Sequence, residues 1–446
     1  MIFVVHKDKP REKALEILCR VETGAFADAL LDRVRQAFDA RDSAFILELV
    51  YGTLRNRTLL DWTLNQFSTQ PLAKTDTWTR NILRLGAYQM LFLDKVPVSA
   101  AVNTAVDLAK GHGNKSSYVN GLLRSLDRKR ASLVGPGPDN PVTRLSILHS
   151  HPEWLVRRWV KRFGEETTEK LLRENNRPAP LIVRANTLKT TRDRLKASLE
   201  AEGAAAIETA YSAVGLEIIS SPGLRSLNAY AQGWFMVQDQ AAQLISLMLG
   251  PRPGETVLDA CAAPDGKATH LAELMENRGS VIALENDQGR LGRIRENSAR
   301  LGITIISPVQ GDAMKYQEGR FDKVLIDAPC SGLGVLRRHP DGRWNKNERM
   351  IRERACLQRG ILENCALLLK PGGALVYATC TTEPEENEEV IKSFLAEHNE
   401  FAQEGPQRFL PASTARLVDD KGFFRTFPNE PALDGFFGVR LVRKHS

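Results

Sequence analysis

The chain has 446 residues, of which 42% are hydrophobic and 26% charged, so it can bury a large core and should fold as two or three soluble domains. Its first residues, MIFVVHKDKP, are too short an apolar run for a signal peptide, and no later run is long enough to span a membrane, so we expect a cytoplasmic protein. The six cysteines lack the spacing of a disulfide framework or a metal site, and we expect neither.

The net charge of +7 is concentrated in the first third of the chain. Residues 1–135 contain 20 Lys and Arg against 14 Asp and Glu, whereas the remainder contains 41 against 40. A basic appendage on a nearly neutral body is typical of a module that binds a polyanion such as RNA. Helical domains also carry solvated charge that serves no partner, but the distribution of the charge favours a polyanion.

Residues 1–134 have the apolar periodicity of helices throughout, and Pro71, Pro97 and the Gly111–Gly113 pair divide them into at least five helices. The stretches VYGTLRNRTLLDWTL, RLGAYQMLFLDKVPVSAAVNTAVDLAK and SSYVNGLLRSL resemble the NusB-like RNA-binding helical domain. This resemblance implies an all-α bundle that holds RNA or protein.

Residues 135–141, GPGPDNP, are predicted to form a rigid linker. Residues 142–232 then combine an amphipathic helix, HSHPEWLVRRWVKRFG, with a strand and a helix in PLIVRANTLKTTRDRLKASLEAEG, which predicts a small α+β subdomain. Within RANTLK, the side chains of Arg184, Asn186 and Lys189 are suited to contact an RNA phosphate backbone. The alternative, that they end a strand and cap the next helix, is equally favoured.

Residues 233–446 alternate strand and helix patterns, which predicts a doubly wound, mostly parallel sheet. The predicted strands are ETVLDA, SVIALE, ITIISPVQ, FDKVLIDA and GGALVYAT. The last stretch, DGFFGVRLVRK, alternates apolar and polar residues and is predicted to add an antiparallel hairpin strand at the sheet edge.

Two buried strands end in cysteine-bearing stretches, FDKVLIDAPC and GGALVYATC. Ligands of parallel α/β sheets bind outside the carboxyl ends of the strands. If these strands are neighbours, Asp327, Cys330 and Cys380 therefore converge on one crevice, which favours nucleophilic chemistry over packing. Cys356 and Cys365, in contrast, lie in an apolar helical stretch and are predicted to be inert core residues.

The loop after the first strand, residues 261–267, consists of small residues but lacks the GxGxxG fingerprint of dinucleotide binding. It still admits a nucleoside with a zwitterionic tail, and Glu285 at the end of the second strand is placed to accept hydrogen bonds from ribose hydroxyls. Asp312, after the third strand, would lie near an adenine. These features predict S-adenosylmethionine as the cofactor.

Five ordered motifs in residues 145–443 resemble the Sun/NOL family of RNA cytosine-C5 methyltransferases: DACAAPDGKATH, IALEND, QGDAM, LIDAPCSGLGVLRRHPDGRW and YATCTTEPEENEEV. The resemblance implies a Rossmann-like class I S-adenosylmethionine methyltransferase fold. It implies that Cys380 is the nucleophile, that Cys330 helps to release the product, and that Asp327 contacts the cytosine ring. The cofactor-lining residues that it implies are Cys261, Ala262, Ala263, Pro264, Asp265, Gly266, Lys267, Glu285, Asp312 and Asp327. The family usually has Gly where Asp265 stands.

The implied chemistry has its own rationale. Cytosine C5 is a poor nucleophile, so a thiolate must add at C6 before C5 accepts a methyl group. Loss of the C5 proton and expulsion of the thiolate then call for a base near the ring. The target must be single-stranded or flipped, because a stacked base exposes neither face.

Residues 337–359 contain eight Lys and Arg against three acidic residues, the one basic cluster beside these motifs. Arg337, Arg338 and Trp344 are predicted to clamp RNA, with the tryptophan ring as a stacking surface. A solvated helix face explains the later arginines of this stretch equally well.

The leading hypothesis is a methyltransferase that modifies C5 of a cytosine in 16S ribosomal RNA of the small subunit, without a metal. The same reaction on transfer RNA is the nearest alternative, and the NusB-like domain favours ribosomal RNA by resemblance. A non-catalytic RNA-binding or antitermination factor with an inactive methyltransferase fold is a different class, which the intact pair of Cys330 and Cys380 disfavours.

Overall fold

The chain forms two units in the computed structural model, which describes residues 8–113, 115–137, 140–263, 266–428 and 433–445. The helical unit comprises Met1–Pro178 together with Leu336–Asn347, and the sheet unit comprises Ala179–Val335 together with Glu348–Ser446. In the described part of the chain, no helix combines the length and apolarity needed to cross a bilayer.

The helical unit begins with a bundle, as the apolar periodicity predicts. Its helices are α1 (Lys9–Glu22), α2 (Ala27–Ala37), α3 (Ala40–Arg55), α4 (Arg57–Asn65), α5 (Thr77–Phe92), α6 (Val98–Gly111) and α7 (Ser116–Arg128). Side chains cap several of them: Asp39 accepts from the N–H of Asp42 at 2.8 Å, and Asp76 from that of Thr79 at 2.9 Å. Their leucines, valines and isoleucines form one continuous core.

Three further helices belong to the same unit: α8 (Pro141–Leu148), α9 (Glu153–Phe163) and α10 (Glu165–Asn176). The structure assigns these helices to the helical unit and begins the sheet unit at Ala179, and the predicted middle subdomain of residues 142–232 stays a prediction. The amphipathic helix α9 buries Leu155, Val156 and Trp159, and it packs on α8 and α10 rather than on a sheet. Periodicity shows that a helix has an apolar face but not which element covers that face.

The sheet unit opens with a small antiparallel sheet. Its elements are β1 (Leu181–Ala185), α11 (Arg192–Ala201), β2 (Ala205–Glu208), β3 (Gly215–Ser220), α12 (Asn228–Ala231) and β4 (Phe235–Val237). The strand order is β2-β3-β1-β4, and Val183, Leu195 and Phe235 are buried in its core. The predicted strand and helix around RANTLK are confirmed.

The large sheet follows. Its helices are α13 (Gln240–Leu249), α14 (Gly266–Leu274), α15 (Gln288–Leu301), α16 (Glu348–Leu367) and α17 (Glu388–Glu397). Its strands are β5 (Thr256–Asp259), β6 (Ser280–Glu285), β7 (Ile306–Gln310), β8 (Phe321–Asp327), β9 (Leu369–Thr379), β10 (Phe401–Glu404), β11 (Phe424–Arg425) and β12 (Phe437–Arg443). The order is β10-β12-β9-β8-β5-β6-β7, and β5 to β9 are mutually parallel, so the predicted doubly wound fold is confirmed.

The last strand is antiparallel, as predicted, but it is not the outermost strand of the sheet. Strand β12 lies between β9 and β10 and is antiparallel to both, and β10 forms the edge. The buried side chains of Val439 and Leu441 fit an interior strand. The short sequence FAQE of β10 has too weak an alternation to predict a strand, because its pairing with β12 stabilises it more than its own pattern does.

Strands β5 and β8 are neighbours although β6 and β7 lie between them in sequence. The strand order reverses at this point, which leaves a crevice outside the carboxyl ends of β5 and β8, the usual binding place in such sheets. The motif-bearing loops after β5, β6, β8 and β9 all begin at this edge.

Candidate active site

The structure brings the two predicted thiols together. Strands β8 and β9 pair in parallel with Asp327 opposite Ala378, which places the loops after both strands side by side. The Sγ atoms of Cys330 and Cys380 lie 3.2 Å apart, within hydrogen-bond range for sulfur. The convergence predicted from the strand ends is therefore present.

Cys330 holds its proton firmly. The hydrogen bond with Cys380 and then burial raise the pKa of Cys330 well above that of an ordinary thiol, and the charges of Cys380 and Glu386 add to the effect. Either sulfur can donate in this hydrogen bond, and the raised pKa of Cys330 favours Cys330 as the donor. This arrangement favours Cys380 as the sulfur that ionises.

A lysine and a carboxylate pair beside the thiols. The Nζ atom of Lys267, in the first turn of α14, lies 2.5 Å from Oδ2 of Asp327 and 5.3 Å from the ring centroid of Phe436. Burial lowers the pKa of Lys267, but the charge and hydrogen bond of Asp327 and the charges of Cys380 and Asp259 outweigh it, and the pKa is raised. Lys267 therefore carries a positive charge that interacts electrostatically with Cys380.

The carboxyl group of Asp259, at the end of β5, is a buried acceptor that sequence reasoning missed. Its side chain is fully buried, and among the described residues only the backbone N–H of Cys261 approaches it as a donor, without the geometry of a full hydrogen bond. Burial first, and then the charge of Asp327, raise its pKa to about 7, against the opposing charge of Lys267. A carboxyl group without solvent contact therefore holds its proton more tightly than an ordinary aspartate does.

The predicted cofactor loop follows Asp259 and is tied to the end of β6. The N–H of Ala262 donates to the carbonyl of Leu284 at 3.0 Å, and that of Ala263 to Oε2 of Glu285 at 3.3 Å. Cys261 is packed against the core of the sheet, and burial raises its pKa well above the ordinary range, so its thiol stays neutral.

The two predicted carboxylates, Glu285 and Asp312, each accept a hydrogen bond in the turn that follows their strand. Oε1 of Glu285 accepts from the N–H of Asp287 at 2.9 Å, which leaves lone pairs for other donors because a carboxylate accepts about four bonds. Oδ1 of Asp312 accepts from the N–H of Met314 at 2.9 Å and so also shapes a turn. Pro264 and Asp265 lie outside the described residues.

Arg184 and Asn186 are not available to an RNA backbone, so their prediction as phosphate ligands is wrong. Both side chains are fully buried. Arg184 pairs with Glu273 at 2.7 Å, donates to the carbonyl of Gly266 at 2.7 Å and contacts Gln238, all within the sheet unit. The guanidinium donates to groups of the protein and is closed to solvent, so its role is to stabilise the fold.

Asn186 is held by the backbone in the same way. Its amide nitrogen donates to the carbonyls of Gly233 and Leu301, each at 2.9 Å. Lys189 is exposed, but its ammonium donates to the carbonyls of Gln232 at 2.8 Å and Arg300 at 2.9 Å. Contact between Lys189 and RNA stays a prediction.

The predicted RNA clamp after β8 is also wrong in part. The segment Leu336–Asn347 belongs to the helical unit, and Arg337 is 1% exposed there. The indole Nε1 of Trp344 donates to the carbonyl of Leu54 at 3.0 Å, and the guanidinium of Arg57 lies 4.9 Å from its ring centroid. The ring face proposed for stacking on a base is therefore covered by the protein itself.

The remaining basic residues of this stretch divide between the two units. Arg338 is half-buried in Leu336–Asn347, and its contact with RNA stays a prediction. Arg349, Arg352 and Arg359 are exposed on α16, where Arg349 pairs with Glu353 at 2.6 Å. Cys365 in the same helix is buried as predicted, whereas Cys356 is exposed, so its prediction as a core residue is wrong.

Three family models match the chain. The model described as 16S rRNA methyltransferase RsmB/F matches residues 246–442, and the NusB family model matches residues 8–128. A model for the ferredoxin-like domain of RsmF/B-like methyltransferases matches residues 151–223, a span that crosses the division between the two units at Pro178.

Curated relatives match almost from end to end. The chain is 38% identical to a probable ribosomal RNA small subunit methyltransferase B of Bacillus subtilis, over 98% of this chain and 99% of the relative. It is 38% identical to a similarly named protein of Synechocystis, over 94% and 96%, and 34% identical to ribosomal RNA small subunit methyltransferase B of Salmonella paratyphi A, over 95% and 96%.

Solved structures share the fold. A methyltransferase homologue from Pyrococcus horikoshii matches with a TM-score of 0.59 and 27% identity, over 69% of this chain and all of that one. The structure of NSun6 from Pyrococcus horikoshii with SFG matches with a TM-score of 0.60 and 24% identity, over 66% and 99%. At the latter identity the likeness concerns the fold alone.

Proposed function

The chain belongs to the RsmB/F family of 16S rRNA methyltransferases, and we propose that it methylates C5 of a cytosine in small-subunit ribosomal RNA through a covalent bond from Cys380 to C6. The observation that carries this proposal is the pair of Sγ atoms of Cys330 and Cys380, 3.2 Å apart at the ends of adjacent strands. Residues lining the crevice suit the attack on C6, the placement of the base and the release of the product.

The residues at the carboxyl ends of β5 and β6 suit S-adenosylmethionine. Glu285, which retains free acceptor capacity beside the N–H groups of Ala263 and Asp287, suits ribose hydroxyls. The small residues Ala262, Ala263 and Gly266 allow a close approach of the ligand to the backbone. When bound, the cofactor supplies a methyl group on a sulfonium.

The first chemical step is the addition of a thiolate. Cys380 adds to C6, and the electrons of the C5–C6 double bond move onto C5 and the ring, which makes C5 nucleophilic. The ammonium of Lys267 and the hydrogen bond from Cys330 both favour the thiolate form of Cys380. The free carboxylate capacity of Asp327 suits the exocyclic amino group of cytosine, which would hold the base in place.

The last step regenerates the enzyme. After methylation, C5 carries both a proton and the new methyl group, and water in the crevice takes the proton while the bond from C6 to Cys380 breaks. The departing sulfur leaves as a thiolate and receives the hydrogen bond of Cys330. Cys330 thus assists release by stabilising the leaving group, for which its raised pKa keeps a proton in place.

Two cysteine variants test the proposal with unmodified small-subunit ribosomal RNA made by transcription. Cys380→Ala should abolish methyl transfer while the affinity for S-adenosylmethionine changes by less than about tenfold, because the thiol is not a cofactor ligand. Cys330→Ala should accumulate a covalent complex of protein and RNA, visible as a slow band on a denaturing gel.

Two results would contradict the assignment. Normal turnover by Cys380→Ala would exclude it as the nucleophile. A covalent band with Cys380→Ala and none with Cys330→Ala would mean that the two cysteines exchange roles.

A further inference from the structure

Two adjacent side chains in the loop after β9, Glu386 and Asn387, contact the residues on either side of the two cysteines. Both are buried in the sheet unit, at 0% and 1% exposure. In the described part of the chain, neither side chain forms a hydrogen bond with the sulfur of Cys330 or Cys380. They therefore act on the thiols, if at all, through the neighbouring backbone.

Glu386 holds the residue that follows Cys330. Its Oε1 accepts from the backbone N–H of Ser331 at 2.7 Å, and its Oε2 accepts from the Ser331 hydroxyl at 2.5 Å. Gln358 of α16 donates to Oε1 of Glu386 at 3.1 Å and to the carbonyl of Pro329 at 3.1 Å. Both neighbours of Cys330 are thereby fixed to one buried carboxylate and one amide.

Asn387 does the same for Cys380. Its Oδ1 accepts from the hydroxyl of Thr379 at 2.6 Å, and its Nδ2 donates to the carbonyl of Thr381 at 3.0 Å. The hydroxyl oxygens of Ser331 and Thr381 lie 2.9 Å apart and join the two loops directly. The separation of the sulfur atoms is thus determined by a closed network of buried hydrogen bonds.

We propose that Glu386 and Asn387 are positioning residues with separate tasks, Glu386 for the release step that uses Cys330 and Asn387 for the attack by Cys380. This inference rests on the proposed function. It assigns each residue to one half of the reaction by its main contacts: Glu386 accepts two hydrogen bonds from Ser331 and a further one from Thr381, whereas Asn387 contacts Thr379 and Thr381.

The charge of Glu386 gives it a second reason to act on Cys330. Burial raises the pKa of Glu386, whereas donors from Ser331 and Gln358 favour its ionised form. A carboxylate there opposes ionisation of Cys330, whose pKa is raised partly by Glu386. The negative charge thus helps to keep the proton on Cys330 and to leave Cys380 as the thiolate.

Isosteric exchanges separate positioning from loss of structure. Glu386→Gln removes the charge and one acceptor for Ser331, and Asn387→Asp removes the donor to the Thr381 carbonyl, while each keeps the shape of the side chain. Glu389→Gln, the same chemical change on an exposed residue of α17, is the matched control. All variants would be assayed as full-length protein with transcribed small-subunit ribosomal RNA.

Opposite effects on the covalent complex are expected. Glu386→Gln should lower turnover about a hundredfold and accumulate the complex, as Cys330→Ala does, because a misplacement of about an ångström costs that much. Asn387→Asp should lower turnover to a similar extent without accumulation, because formation of the complex slows. Affinity for S-adenosylmethionine, measured by calorimetry, should change by less than about twofold in both.

Double variants that combine Glu386→Gln or Asn387→Asp with Cys330→Ala make the test more specific. Asn387→Asp should slow formation of the trapped complex about tenfold in that background, whereas Glu386→Gln should leave it unchanged, because the group that Glu386 serves is already absent. If both slow it equally, the two tasks are not separate and the inference is overturned.

Ser331→Ala keeps the test decisive if Glu386→Gln does not fold. It removes one hydroxyl donor and should accumulate the complex about threefold over the unsubstituted protein, a smaller effect of the same sign. No accumulation in either variant, while Cys330→Ala does accumulate it, overturns this inference alone. No complex with Cys330→Ala itself overturns the covalent mechanism proposed above, and the inference with it.

Discussion

Helix α14 carries two ion pairs of similar geometry and different character. Lys267 in its first turn pairs with Asp327 at 2.5 Å, and Glu273 near its end pairs with Arg184 at 2.7 Å. The side chains of the first pair are 11% and 25% exposed, whereas those of the second are 0% and 1% exposed. The first pair faces the crevice with the thiols, and the second is sealed between β1 and α14.

The difference in exposure between the two pairs separates a structural role from a role at the site. In the sealed pair every contact that the structure gives Arg184 is to another group of the protein, including the carbonyl of Gly266 and the hydroxyl of Thr269. In the pair at the crevice, Lys267 also lies beside Cys380 and the unsatisfied Asp259. A sealed pair stabilises the fold, and a pair at an opening is available to a ligand.

The largest expected effect is on the sealed pair. Arg184→Met leaves the carboxylate of Glu273 buried without a cation, and the free energy of unfolding should fall by about 3–5 kcal/mol. Urea unfolding followed by circular dichroism measures it. Arg349→Met, which breaks an exposed pair with Glu353, is the control and should cost less than about 0.5 kcal/mol.

The double variant Arg184→Met with Glu273→Leu should recover most of that loss, because two apolar side chains replace two charges. A loss below about 1 kcal/mol for Arg184→Met alone would mean that water reaches Glu273, and the contrast between the two pairs would disappear.

A pH effect is expected next, at the crevice. The pKa of Asp259 in the folded protein is about 7, above the 3.8 of an ordinary aspartate, so the folded state binds the proton more tightly in this window. Stability should therefore fall as the pH rises from about 4 to about 7, by on the order of 4 kcal/mol from this group, and stay level above.

Asp259→Asn should abolish that dependence, since asparagine does not titrate. Urea unfolding of both proteins at about pH 5 and about pH 8 gives the difference between them. If the two proteins lose stability in parallel, the carboxyl group of Asp259 is already ionised at the lower pH, and the crevice compensates its charge better than the structure indicates.

The smallest expected effect concerns Lys267. Lys267→Met removes the positive charge next to Cys380, and turnover should fall about a hundredfold, equivalent to about 2.7 kcal/mol of activation free energy. Stability should fall by less than about 1 kcal/mol, because Asp327 remains partly solvated. Steady-state kinetics and urea unfolding of one preparation measure both.

A higher pH should restore part of the lost turnover, because Cys380 then ionises without the help of the ammonium. Equal losses of stability for Lys267→Met and Arg184→Met would contradict the distinction between the two pairs.

Local patterns in the sequence were sufficient for the elements that carry the chemistry. Strands β8 and β9 are continuous apolar runs that end at Asp327 and Thr379, and the apolar periodicity of residues 1–134 predicts the bundle. Such patterns report the period and the end of an element directly. The motifs also pointed to both cysteines and to Glu285, because each lies at or just after a strand end.

Only the tertiary structure shows which of the predicted RNA-binding side chains are exposed and which are buried. The residue types of an RNA-binding surface are present in Arg184, Arg337 and Trp344, but all three are largely covered by the protein. Residues distant in sequence contact them: Glu273 pairs with Arg184, and the carbonyl of Leu54 accepts from Trp344. The sequence around a Lys or Arg residue does not show whether a carboxylate will pair with it in the folded protein.

The order of the strands was likewise decided by packing, since β12 inserts between β9 and β10 through pairing that its own sequence does not specify. The same holds for Glu386 and Asn387, which were visible only as part of an acidic run in YATCTTEPEENEEV. The sequence by itself determined which residues lie at the strand ends and hence the chemistry that the chain can perform. Only the tertiary structure decided which polar groups are exposed to a partner and which support the thiols, because burial and hydrogen-bond partners arise from residues far apart in the chain.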